Sequence, residues 1–169
     1  MGVSTDAILI YGYAWAEEKD LFQAHRFGDG DDDDAEWPEL LLRKRGVKNP
    51  WDDYPITAEM QRQLSYETRD SLSRCWMAEN EERLDAWRQR QEAVEREFGV
   101  IVGRHCSGEC PMPYVAAWKL VAHRGSPVAV AVPVGCYDAW DARLATFLAE
   151  FGIVPPQEHP GQWLVSYWS

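Results

Sequence analysis

The 169-residue sequence predicts an α+β fold, with a mixed or antiparallel sheet of about four to five strands packed against about three helices. Three observations carry this. Residues 7 to 15 are apolar on both alternating faces, residues 57 to 98 hold helix formers with recurrent apolar positions, and the strand-like and helix-like segments beyond residue 99 interleave without strict βαβ alternation. The length suits a single domain spanning 1–169.

The first element, Ala7 to Trp15, sets Leu9, Tyr11, Tyr13 and Trp15 on one face and Ile8, Ile10, Gly12 and Ala14 on the other. A strand apolar on both sides is one covered on both sides. From about 17 to 56 periodicity gives way to an acidic run, Pro38, Pro50, Pro55 and the basic cluster Arg43, Lys44 and Arg45. This reads as an irregular excursion with one helical turn near Leu40 to Leu42. Thr57 is a natural N-cap for the helical stretch that ends at Phe98. Unbroken, that stretch would run about 60 Å at 1.5 Å per residue, longer than a compact domain of this size, so a break is expected near Ala78 to Asn80, with Asn80 capping the second helix. Gly99 then terminates the helix. A strand from Tyr114 to His123 is expected to turn through Arg124–Pro127 into a second strand at Val128 to Val134, whose valines alternate with small residues. A helix over about 138–151 and a strand over Gln162 to Trp168 complete the order. The pattern Asp85-Ala86-Trp87 followed by Arg90, Glu97, Phe98 and Gly99 recurs as Asp138-Ala139-Trp140, Arg143, Glu150, Phe151 and Gly152, an echo that shared helix grammar suffices to produce.

The net charge of −11 is concentrated early, with 13 acids and 6 bases in residues 1–56. That sign repels phosphate backbones and argues against direct DNA or RNA binding. The apolar runs are too short to span a membrane. Acidic flanks around residues 7 to 15 do not fit a secretory leader, so the expected compartment is the reducing cytoplasm, where Cys75, Cys106, Cys110 and Cys136 remain thiols or bind metal.

The segment His105-Cys106-Ser107-Gly108-Glu109-Cys110 offers an imidazole and two thiolates with zinc-like spacing, so His105, Cys106 and Cys110 are the candidate metal ligands, with zinc the candidate cofactor. A fourth ligand has no second close pair to come from. Cys136, at the start of a helix, would need His123 or His159 as base to act as a nucleophile, and no catalytic residue is assigned. The run Asp29 to Glu36 fails the EF-hand pattern: Asp34 stands at the sixth position and Leu40 at the twelfth. Glycine-rich phosphate loops, H-E-x-x-H and G-x-S-x-G do not occur.

Nine tryptophans are the most unusual feature of the composition; some build the core, while Trp37 and Trp51 fall in the acidic excursion, where they either pin it onto the domain or, as exposed aromatics bordered by charge, suit an interface. The expected function is that of a non-enzymatic binding module. Its contact residues would be Asp29, Asp31, Asp32, Asp33, Asp34, Glu36, Trp37 and Trp51, and its partner a protein with a basic surface. In its sharpest form the acidic surface imitates nucleic acid and inhibits that partner, as phage and mobile-element inhibitors do. A zinc- or cysteine-dependent enzyme around His105, Cys106 and Cys110 is the first alternative. A structural or assembly subunit that pairs with a copy of itself at Gln162 to Trp168 is the second.

Overall fold

The computed structural model describes residues 5–19, 21 and 22, 36–107 and 110–168. It resolves into two compact units, one formed by Met1–Gln23 with Arg96–Ser169 and the other by Ala24–Glu95.

The first unit is built on a four-stranded mixed sheet. β1 (Thr5–Ala14) lies between β3 (Pro111–Ala122) and β4 (Gly161–Trp168), antiparallel to both, and β2 (Ile101–Ser107) pairs antiparallel with the outer edge of β3. The sheet curls until its edge strands meet in a short parallel contact, Cys106 with Tyr167 and Ser107 with Trp168, and so closes into a small barrel. Alternation assigns the faces. Ile8, Ile10 and Ala14 cluster with Tyr114 and Ala116, flanked by Ile101, Val121, Trp163, Val165 and Tyr167.

Curvature this tight needs a local device, found where β1 meets β3. Tyr11 pairs with Trp118 but Gly12 pairs with Ala116, so Ala117 is the extra residue of a β-bulge. The β3 backbone there comes so close that a Cβ on Gly12 would lie 2.0 Å from the Val115 carbonyl oxygen. Only glycine admits that approach.

α5 (Tyr137–Phe151) packs against β3. It buries Trp140, Leu144, Phe147, Leu148 and Phe151, the i, i+4, i+7, i+8 stripe of an amphipathic helix. Phe147 packs edge-on to Phe98 with centroids 5.7 Å apart, and Phe151 likewise to Phe22 at 5.1 Å. Gly152 closes the helix in the left-handed conformation, as Gly99 does at the earlier echo of the same pattern.

One strand differs from expectation. β3 turns at His123–Ser126, where the Ser126 N–H donates to the His123 carbonyl at 3.0 Å, but Val128 to Val134 joins no sheet. Pro127 precedes the stretch and Pro133 lies within it, neither supplying an N–H, and the chain runs on into α5. The hairpin that does form is β2–β3, and β2 extends through His105 and Cys106.

The second unit is helical. The excursion contains α1 (Trp37–Lys44), two turns rather than one, with Pro38 in its first turn and Arg43 and Lys44 in its last. Proline is tolerated at a helix start and cations suit a helix end, so the residues that resembled breakers are its signature. A 3-10 turn, Pro50–Asp53, follows. The long helical stretch divides into α2 (Ala58–Gln63), α3 (Tyr66–Glu79) and α4 (Glu81–Phe98), whose last residues fall in the first unit. Thr57 caps α2 through the Met60 N–H, and Ser65 caps α3 through Thr68, adding a break the periodicity did not show. The expected break at Asn80 is present. Its carbonyl accepts from Leu84 at the start of α4, and its side-chain amide donates back to the Trp76 carbonyl at 2.9 Å. Among the described residues no helix is long and apolar enough to cross a membrane.

Candidate functional site

The acids expected to contact a partner, Asp29 and Asp31 to Asp34, lie outside the described residues. Glu36 is exposed just before α1. Trp37 departs from expectation: as the first residue of α1 it shares a buried stripe with Leu40 and Leu41 and is only 7% exposed, which withdraws it from any contact surface.

Trp51 remains accessible, at 43%. The buried Asn49 sets its position: Asn49 Oδ1 accepts from the Trp51 N–H at 3.0 Å, and its amide donates to Glu39 of α1, fastening the 3-10 turn to that helix. The Trp51 ring packs on Trp76 of α3 with centroids 4.8 Å apart, and Tyr54 stands edge-on to both at 5.7 and 5.2 Å. Three rings in such tilted and T-shaped contact form a rigid ledge with little side-chain entropy left to lose. Met60, Tyr66, Leu72 and Met77 on α2 and α3 are also exposed, Tyr66 at 75%.

The carboxylates beside Trp51 are compensated internally. Asp52 pairs with Arg43 at 3.2 Å, and Asp53 pairs with Lys48 and, at 2.7 Å, with Arg83. The hydrogen bonds from Lys48 and Arg83 hold the Asp53 carboxyl below its usual range. Beyond Tyr54 opens a cleft of about 280 Å³ lined by Tyr54, Ile56, Tyr66, Arg69, Asp70 and Ser73. Arg74 pairs with Asp70, while Arg69 Nε is buried and has no hydrogen-bond partner among the described residues.

His105, Cys106 and Cys110 sit at the turn end of the β2–β3 hairpin. His105 and Cys106 are successive strand residues and face opposite ways. His105 Nε2 donates to the Trp15 carbonyl at 2.9 Å, and Cys106 takes a left-handed backbone angle (φ 77°). Cys110 is exposed, its N–H donating to Ser107 Oγ at 3.1 Å. All four cysteines are free, and among the described residues no group of three or more His, Cys, Asp or Glu could hold a metal ion. His123 contacts Asp6 at 3.1 Å and His159 lies beside Glu158, and neither hydrogen-bonds Cys136 among the described residues.

A second polar–aromatic cluster escaped sequence reading. Tyr11 of β1 donates its hydroxyl to Asp141 of α5 at 2.7 Å, and its ring packs against those of Tyr137 and Trp140. Burial, reinforced by the Asp141 carboxylate, pushes the Tyr11 phenol up to about 12. Such a phenol stays protonated at neutral pH and serves as a clasp, not as a base. Because the folded value lies above the ordinary phenol value of 10.0, the clasp contributes fully below about pH 10 and is lost as pH rises through about 12. Denaturant titration of wild type is expected to show stability falling by up to about 3 kcal/mol over that window. Tyr11→Phe is expected to cost about 1 kcal/mol at pH 7 and to flatten the alkaline fall, leaving the smaller part due to Tyr13, which burial also raises. An alkaline fall as steep in Tyr11→Phe as in wild type would assign it to other groups.

No protein-family model matches the chain, and no curated protein or solved structure is significantly similar to it; its chemistry has to be read from its own residues.

Proposed function

We propose that the chain is a non-enzymatic protein-binding module whose anchor is the Trp51–Tyr54–Trp76 ledge of the second unit. The observation that carries this reading is Trp51 itself, a tryptophan 43% exposed yet fixed by Asn49 and by two neighbouring rings. Pre-ordered tryptophan and tyrosine are the side chains that dominate interface energetics, and exposed methionine around them adds adaptable apolar contact. The partner fitted to it presents basic residues. Residues 24–95 hold 18 acids against 11 bases, net −7, and a partner lysine or arginine laid on the Trp51 face gains a cation–π contact. Since Asp52 and Asp53 are already paired, they supply no phosphate-like row. Nucleic-acid mimicry therefore rests on Asp29 and Asp31 to Asp34, whereas anchoring rests on the rings.

The test is recovery of a stoichiometric partner from nuclease-treated lysate of the source cells, followed by titration of the purified pair. Trp51→Ala is expected to weaken binding about 30-fold, a hot-spot loss of about 2 kcal/mol, and Trp51→Phe to restore much of it. Affinity is expected to fall with added salt. Equal affinity of wild type and a folded Trp51→Ala would remove the ledge from the interface.

A further inference from the structure

The stretch from Pro127 to Pro133 reads Pro-Val-Ala-Val-Ala-Val-Pro, the same in both directions. It belongs to no strand or helix, and among the described residues none of its backbone groups takes part in a hydrogen bond. Val128 is 41% exposed, Val130 64% and the following Val134 95%. Alternating β-branched residues with a free backbone are a template for strand addition, and native proteins usually blunt such edges with charge. Here the nearest charges are Arg124 and Asp138, so residues 125–137 are uncharged.

We infer that this segment pairs with the same segment of a second copy, antiparallel about a two-fold axis through Val130. The palindrome selects that occupant. An antiparallel pair centred on Val130 sets Val128 opposite the other copy's Val132, Ala129 opposite its Ala131 and Pro127 opposite its Pro133; two-fold symmetry asks only that each contact be reciprocated, and the palindrome adds that every bonding position then holds a valine-on-valine pair. The prolines also fix which ladder forms. If the Val130 pair exchanges hydrogen bonds, the bonding pairs are Val130–Val130 and the two Val128–Val132 pairs, giving about six bonds, while the prolines fall at non-bonding positions where an N–H is not needed. The alternative ladder places both prolines where a donor is required. Valines then face valines on one side of the ribbon, an arrangement that favours pairing. Charge points the same way: two copies of −11 each repel less through a segment that itself carries no charge.

The contact is small, below the size of a permanent interface, so association is expected within about 1 µM to about 1 mM. Sedimentation of the full chain across that range should show a monomer–dimer equilibrium that strengthens with salt, as screening relieves repulsion between like-charged copies. That salt response is opposite to the one expected at the Trp51 ledge, so the two contacts are separable. Amide exchange at Val128, Val130 and Val132 should slow as concentration rises. Val130→Lys, which opposes two cations at the axis, should raise the dissociation constant about tenfold or more without changing far-UV circular dichroism, and Val130→Thr should retain the dimer. A monomer at every concentration, a dimer without protection at these amides, a dimer that weakens with salt, or a Val130→Lys dimer as tight as wild type would each overturn the inference.

Discussion

Gly12→Ala is expected to cost about 4 kcal/mol or more, a large share of the 5–15 kcal/mol that holds a typical domain together. The added Cβ would stand 2.0 Å from the Val115 carbonyl oxygen, 2.7 Å from Ala116 Cα and 3.0 Å from the Val115 carbonyl carbon. All three are backbone atoms, so no rotamer change makes room. Relief requires separating β1 from β3 at the bulge, where Gly12 pairs with Ala116 and Tyr13 with Val115. Separation would also disturb the bond from Trp163 Nε1 to the Gly12 carbonyl, 3.0 Å long, that ties in β4. The control is Gly46→Ala. Gly46 has a left-handed φ of 76° but nothing within 4 Å of its missing Cβ, so that variant bears conformational strain alone, about 1 kcal/mol. Denaturant melts of both variants against wild type should therefore differ by about 3 kcal/mol. A Gly12→Ala midpoint matching that of Gly46→Ala would mean that the bulge relaxes and that the close approach is not what shapes the sheet.

The fold was legible where one segment carries its own constraint. Residues 7 to 15 are apolar on both faces, and β1 is paired along both edges. Gly99 and Gly152 signalled helix ends, and both adopt positive φ. Asn80 marked a real junction. Legibility failed where pairing, not propensity, decides. Val128 to Val134 has as much intrinsic β preference as any stretch of the chain, yet propensity does not provide a neighbour. β2 carries no apolar alternation to announce it, because Arg104, His105 and Cys106 break the pattern, although backbone pairing with β3 is indifferent to that. In α1 the proline and the basic cluster acquire helical meaning only by position.

The candidate site divides the same way. Composition drew attention to the tryptophans of the excursion, but Trp37 and Trp51 have similar surroundings in sequence and opposite fates in the fold. One begins an amphipathic stripe; the other follows a buried asparagine cap. The partners of Trp51, Tyr54 and Trp76, come from a loop and from α3. The Tyr11–Asp141 clasp joins residues 130 positions apart, a separation no local periodicity can encode.

The second large effect is expected at Gly103, and it is expected to disappear in a particular background. Gly103 of β2 faces Tyr114 of β3 across the ladder, and the tyrosine ring lies over the space a side chain would fill: a Cβ there would stand 2.3 Å from the Tyr114 hydroxyl oxygen and 2.4 Å from Cζ. An aromatic ring covering a cross-strand glycine is a known means of fixing register. Here the ring also belongs to the core, since Tyr114 is only 2% exposed, clusters with Ile8, Ile10, Ala14 and Ala116, and accepts a hydrogen bond from Lys119 at 3.3 Å. It cannot swing aside without losing that packing. Gly103→Ala is thus expected to cost about 3 kcal/mol by overpacking, and Tyr114→Ala about 4 kcal/mol by leaving a cavity. If the two residues conflict only with each other, the alanine methyl of the double variant occupies part of the vacated space, and Gly103→Ala then costs less than about 1 kcal/mol in the Tyr114→Ala background. The resulting coupling of about 2 kcal/mol or more is readable from a double-mutant cycle. Additive losses would show instead that Gly103 is required by the β2 backbone itself, for reasons unrelated to the ring.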